Sequence, residues 1–147
     1  MNITLRKIVR DNLEACILLQ PAPEQQKFVA PNVESLAQAY VEPTLNPYAI
    51  YADEEMVGFV MYGLDWDDNN YWVYRLMIAP AHQGKGYAKA AMREVINRLA
   101  ATPDCTKAII GFHPDNLAAA KLYASLGFED GGKAPWGEQL MVMTFPR

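Results

Sequence analysis

The sequence predicts a mixed α+β fold: a central, twisted, mostly antiparallel sheet with the element order β-α-α-β-β-β-α-β-α-β-β. Three observations predict it. Three consecutive strand-like runs between residues 48 and 78 are separated by short polar turns, which is the mark of an antiparallel meander. One helix with a single apolar face follows from about Lys85 to Ala101 and is entered through a glycine-rich turn. Beyond it the chain reads strand, helix, strand, strand, so one crossover returns it to the sheet. A chain of 147 residues has room for one core, and one domain over residues 1–147 is expected.

Element by element, Ile3, Leu5, Ile8 and Val9 begin as a strand, and Asp11 can cap a helix carrying Leu13, Ala15, Cys16, Leu18 and Leu19 until Pro21 and Pro23. Asn32 is a second N-cap candidate, with Val33, Leu36, Ala37, Tyr40 and Val41 at helical spacing until Pro43. The meander consists of Tyr48 to Ala52, Met56 to Leu64 and Tyr71 to Ile78, and Ala79-Pro80 ends it because proline cannot donate to a ladder. In the long helix Ala88, Ala91, Met92, Val95, Ile96 and Leu99 form the apolar face. Lys107 to Phe112 is a strand, Asn116 caps a helix over Leu117 to Leu126, and Gly127 terminates it. Phe128 to Glu129 and Gln139 to Phe145 are the last strands, and Glu129 to Glu138 reads as a mobile hairpin loop.

Hydrophobic residues make up 51% of the chain and charged residues 20%, which excludes a disordered or fibrous protein. The longest apolar stretches, such as Leu140 to Met143, are too short for a membrane span, and no signal peptide is visible, so a cytoplasmic location is expected. Cys16 and Cys105 are read as buried or half-buried thiols. The net charge of −4 argues against nucleic-acid and anionic-membrane partners. The charge is unevenly spread: residues 53 to 68 hold six acids and no Lys or Arg, whereas residues 82 to 101 hold Lys85, Lys89, Arg93 and Arg98 against Glu94. One segment suits cations and the other suits anions. His82 and His113 lack a third ligand at metal spacing, so no metal is expected.

Gln83-Gly84-Lys85-Gly86-Tyr87-Ala88 joins the end of a strand to the start of a helix. Glycines let the backbone turn and approach closely, and the helix N-terminus adds about half a positive charge, so a phosphate is the natural guest. The two better-known phosphate loops do not fit, because no GxxxxGK[ST] is present and Lys89 replaces the third glycine of GxGxxG.

Leu76-Met77-Ile78-Ala79-Pro80, then Gln83-x-x-Gly86-x-Ala88, then Asn116 and Leu122-Tyr123-x-x-x-Gly127-Phe128 together resemble the GNAT acetyltransferase superfamily, over the whole element order. The resemblance implies an acetyl-CoA-dependent N-acetyltransferase without a metal. It implies that Gly84, Lys85, Gly86, Tyr87, Ala88 and Lys89, together with Gln83, hold the pyrophosphate. Leu76, Met77 and Ile78 would pair with the pantetheine arm where the sheet splays, Asn116 would hold an amide of that arm and Ala119 would line it. The resemblance nominates Tyr123 as the general acid toward the thiol. Reference pKa values make that transfer uphill by roughly 2 kcal/mol, so a hydrogen bond to the developing thiolate is the larger expected role. Neither cysteine lies in the matching motif, which disfavours an acetyl-enzyme.

Phe28-Val-Ala-Pro31-Asn32-Val-Glu34-Ser35 and Tyr74-Arg75-Leu76-Met77-Ile78 resemble the bacterial diamine and spermidine acetyltransferases within that superfamily, implying a small-molecule polyamine acceptor. Glu34, Asp65 and Asp67 are candidates to bind the acceptor and take its proton, and Trp66, Trp72 and Tyr74 could hold a cation by cation–π contact. Arg75 is a departure: either it points to the opposite face of the strand, as alternation permits, or the acceptor is something else. An aminoglycoside or protein N-terminus as acceptor, and an acyl-CoA sensor without transfer, are the alternatives. A homodimer is compatible with the sequence but not required by it.

Overall fold

The computed structural model describes residues 2–147. Strand β1 (Ile3–Lys7) is followed by helices α1 (Leu13–Leu18) and α2 (Asn32–Val41), the meander β2 (Leu45–Ala52), β3 (Glu55–Asp65) and β4 (Asn70–Ile78), helix α3 (Tyr87–Ala100), strand β5 (Lys107–Phe112), helix α4 (Leu117–Leu126), and strands β6 (Glu129–Lys133) and β7 (Gln139–Thr144). All seven strands form one sheet in the order β1-β2-β3-β4-β5-β7-β6, antiparallel except for β4 against β5. The element order and fold class are those the sequence predicts.

Both faces of the sheet are covered. On one, Ala91, Met92, Val95 and Leu99 of α3 and Tyr123 of α4 pack on Ile50, Val60, Val73 and Ile110. On the other, Cys16 of α1 and Leu36 and Ala39 of α2 pack on Phe59, Met61 and Met77. Each sheet face is therefore apolar along its centre, and the alternation of β3 and β4 feeds the two cores in turn. Both cysteines are free and fully buried. Among the described residues no helix is long and apolar enough to cross a membrane.

Four local readings are corrected. Helix α1 takes Asn12 and not Asp11 as its cap residue, and no side chain caps it. Asn32 is the first residue of α2 and not its cap: Pro31 takes the cap position, and the buried Asn32 amide donates instead to Cys16 O at 2.9 Å and Leu19 O at 3.3 Å, tying α2 to the end of α1. The first half of the supposed loop after Phe128 is strand, because β6 runs to Lys133 as a fully exposed edge whose polar Glu-Asp-Gly-Gly-Lys sequence carries no alternation to read, and only residues 134–138 form the turn. The fourth correction concerns β4. Met61 pairs with Arg75 and Tyr62 with Val73, so Tyr74 is an extra, bulged residue, and the alternation of the strand shifts there.

The bulge coincides with the opening of the sheet. Strand β4 pairs with β5 only through Tyr71, Trp72 and Val73, opposite Ala108, Ile109 and Ile110. Beyond that point β4 stays on β3 as far as Ile78, while β5 stays on β7 as far as Phe112. Each strand follows its other neighbour, and a wedge opens between residues 74 to 78 and the end of β5.

Candidate active site

The wedge is built from β4, the glycine turn, α4 and the segment before α2. Ala79 N–H donates to Val57 O on β3, whereas Ile78 O accepts from the Gln83 side chain at 2.9 Å. By strand alternation the main-chain groups of Leu76 therefore share the open edge with those of Ile78. Gly84 and Gly86 adopt φ of 77° and 81°, and nothing lies within 4 Å of where either Cβ would be. Glycine is required there for backbone conformation, not for want of space. Gly86 is the cap residue of α3 and no side chain caps the helix, which leaves first-turn amides without an intrahelical acceptor at the mouth of the wedge.

A cavity of about 400 Å³ runs along this edge. It is lined by Leu76, Met77, Ile78, Gln83, Gly84, Gly86, Tyr87, Ala88, Lys89, Asn116, Ala119 and Tyr123, so it gathers every residue the sequence assigned to cofactor binding except Lys85. The side chain of Asn116 caps α4, its Oδ1 accepting from Ala119 N–H at 3.2 Å, so only its NH₂ group remains to donate into the cavity.

A second cavity, of about 250 Å³, shares part of its wall with the first. The two share Val29, Leu76, Asn116, Ala119 and Tyr123. Tyr123 is only 6% exposed and sits between the rings of Phe112 and Phe128, with centroids 5.6 and 5.9 Å away. Burial holds its phenol well above the usual tyrosine range, so it stays a hydroxyl and a hydrogen-bond donor. A smaller cavity of about 170 Å³ continues outward past Asp65, Trp72, Tyr74, Arg75, Trp136 and Glu138.

The acceptor candidates are separated by the structure. Trp72 and Tyr74 line the outer cavity with Asp65, and Tyr74 also lines the inner one. Burial, and then the nearby charge of Asp65, push the Tyr74 phenol upward. Glu34 and Asp67 line none of the three cavities and are exposed. Inward positions of α2 go to Asn32 and Ser35, which turns Glu34 outward, and Asp67 sits at the hairpin tip, its N–H bonded to Asp65 Oδ1 at 2.8 Å. Trp66 is likewise exposed.

Arg75 does not point away from the cleft, because the bulge at Tyr74 shifts the alternation that would have turned it. It lines both acceptor-side cavities, donating to Tyr74 O at 2.8 Å and to Gln38 Oε1 at 3.4 Å, with its Nε buried and unpaired. Sequence reasoning gave no individual role to Phe28 and Val29, which lie in the segment that carries the polyamine-acetyltransferase resemblance, or to Trp136 and Glu138, which lie in the hairpin loop it read either as a cover over the acceptor or as a simple turn. Among the described residues no group of three metal-ligating side chains occurs; His82 faces Glu55 at 3.6 Å and His113 faces Asp115 at 3.7 Å.

Strands β4 and β5 separate beside the start of α3, and two cavities that share Tyr123 give room for two ligands side by side, an arrangement that suits a group-transfer enzyme. The family signature of the acetyltransferase (GNAT) family matches residues 11–128, and the chain belongs to that family. It is an acetyl-CoA-dependent N-acetyltransferase. The spermine/spermidine N(1)-acetyltransferase of Bacillus subtilis (strain 168) is 29% identical over 149 aligned positions, covering 97% of this chain and 98% of that protein. Among solved structures, aminoglycoside acetyltransferase AAC(6')-Ib with coenzyme A superimposes with a TM-score of 0.80 at 20% identity, covering 97% of this chain and 95% of the other. The spermidine N-acetyltransferase of Vibrio cholerae with CoA and spermine gives 0.77 at 19% identity, covering 97% and 95%. These two structural likenesses establish the shared fold.

Proposed function

We propose that the chain, acting as one domain, transfers acetyl from acetyl-CoA directly to a primary amine of a small di- or polyamine. One observation carries this reading: the cofactor-side and acceptor-side cavities meet at Leu76, Asn116, Ala119 and Tyr123. The diphosphate rests on the amides at the start of α3, the pantetheine lies along Leu76 to Ile78 as a partial extra strand, and the thioester reaches the junction beside Tyr123. The coenzyme A bound in the fold relatives supports the identity of the donor. The B. subtilis spermine/spermidine enzyme, similar over nearly its whole length, supports the acceptor class.

The amine nitrogen, entering from the inner cavity, bonds to the thioester carbonyl carbon, and the carbon–sulfur bond breaks as the thiolate leaves. The nitrogen first loses one proton to solvent, a handicap near 4.6 kcal/mol at neutral pH from reference values, and loses a second as the adduct collapses, so that the amide forms and the departing sulfur ends as the thiol. Tyr123 donates a hydrogen bond to the sulfur as charge develops on it. Cys16 and Cys105 line none of the three cavities, so no acetyl-enzyme intervenes.

Arg75 favours a second reading, in which the acceptor carries an anionic group near its amine, since its guanidinium has no carboxylate partner among the described residues. Incubation with acetyl-CoA and a panel of polyamines, amino acids, an aminoglycoside and a peptide decides between them. The mass gain of one acetyl group on a polyamine is the expected result. Acetylation confined to amino acids selects the second reading, and binding of acetyl-CoA with no transfer to any amine refutes both.

A further inference from the structure

We propose that Glu138 selects a diamine-type acceptor by pairing with the ammonium group that is not acetylated; this deepens the polyamine reading and rests on it. Glu138 closes the turn between β6 and β7. Ala134 N–H donates to its carbonyl at 2.8 Å, and Gly137 at φ 101° brings the chain round. The Trp136 indole aims the side chain, its Nε1 donating to Glu138 Oε1 at 2.6 Å. The carboxylate then reaches over β5, where a Cβ on Gly111 would lie 3.0 Å from Oε1. Glycine at 111 leaves room for the acid, and the acid lines both the inner cavity beside Tyr123 and the outer cavity beside Trp72.

Glu138 makes no salt bridge among the described residues. The other carboxylate of the outer cavity, Asp65, already accepts from Asp67 N–H and fixes the hairpin turn. Neither acid is held in a salt bridge among the described residues, but Asp65 lines only the outer cavity, whereas Glu138 lines both and so borders the path from Tyr123 outward.

The chemistry decides which nitrogen it takes. Alkylamines and carboxylates differ by about six units in reference pKa, so a carboxylate clamped on the reacting nitrogen keeps that nitrogen protonated and unreactive. Its favourable use is on a nitrogen that stays charged throughout. The indoles of Trp72 and Trp136, 6.3 Å apart at their centroids, flank the outer cavity and add faces that attract a cation. Arg75 on the same wall turns its guanidinium toward Tyr74 O and Gln38, which places the distal ammonium at the Glu138 end.

The test compares putrescine with n-butylamine, which has the same carbon chain and one amine, in the wild type and in Glu138→Gln. Glutamine keeps an oxygen to accept from Trp136, so the turn is retained. The wild type should prefer putrescine, and the variant should lose that preference by about tenfold, mostly through the putrescine KM. Raising ionic strength should erode the wild-type preference and leave the variant's ratio flat. A ratio within about twofold of wild type, or equal losses on both amines, overturns the assignment of Glu138 and leaves the polyamine reading standing. Wild-type transfer to none of putrescine, n-butylamine, spermidine and spermine refutes the polyamine reading itself, and the inference with it; transfer to spermidine or spermine but not to putrescine moves the same comparison to that longer amine.

Discussion

Gly86 and Gly132 provide a matched pair that separates what the glycine turn does for the fold from what it does for the cofactor. Both have φ of 81°, and at both a Cβ would meet nothing within 4 Å. Alanine at either position therefore causes no clash and incurs the same conformational penalty, about 1–2 kcal/mol for a left-handed residue with a Cβ. For a domain of this size that lowers the melting temperature by about 3–7 °C. The consequences for binding differ, because Gly86 caps α3 and lines the cofactor cavity, whereas Gly132 lies on the exposed edge strand β6. A turn relaxing to relieve the strain at residue 86 rotates the first amides of α3, and the methyl group enters the space a diphosphate would fill. Calorimetric titration with coenzyme A should show Gly86→Ala weakened by about tenfold. Gly132→Ala should bind like the wild type despite a similar loss of thermal stability. Equal affinities in the two variants would refute the argument that this turn holds the anion.

Two further predictions follow from buried groups. Tyr123→Phe should fold and bind coenzyme A normally, since the new ring fits between Phe112 and Phe128. Its kcat should fall roughly ten- to a hundredfold, the worth of a hydrogen bond of about 1.5–3 kcal/mol to a charged sulfur; an unchanged kcat removes Tyr123 from the mechanism. Burial raises the Cys16 thiol from 9.0 to about 11. Because the folded value lies above the unfolded one, its contribution is complete below pH 9 and is lost as pH rises toward 11. Over that window wild-type stability by urea unfolding should fall about 2 kcal/mol more than that of Cys16→Ala, and parallel curves would contradict the burial argument.

How far the sequence could be read depended on whether a signal was local. Helix α4 was legible to the residue because both of its ends carry their own chemistry: Asn116 accepts from Ala119 N–H, and Gly127 at φ 104° takes the left-handed position. The cofactor edge was legible for the same reason, since a strand, a proline stop and a glycine turn follow one another in the chain. The acceptor side is assembled from segments far apart in sequence. The facing of Arg75 could not be read, because a bulge at Tyr74 changes which side of the strand follows, and periodicity carries no trace of one inserted residue. Glu138 was hidden in a polar turn and gains meaning only where β7 lies against Gly111 of β5. Glu34 looked suitable as an acid, but the inward phase of α2 belongs to Asn32 and Ser35.

The central claim is that main-chain groups on the opened edge of β4 and at the start of α3 hold the donor, with its reactive end at Tyr123. Titrating isotopically labelled protein with coenzyme A and following each backbone amide by NMR tests it most directly. The account predicts the largest shifts at residues 84–89 and at Leu76 to Ile78, with smaller ones at Asn116 and Tyr123. Shifts clustered on another surface, or none at saturating coenzyme, would contradict it.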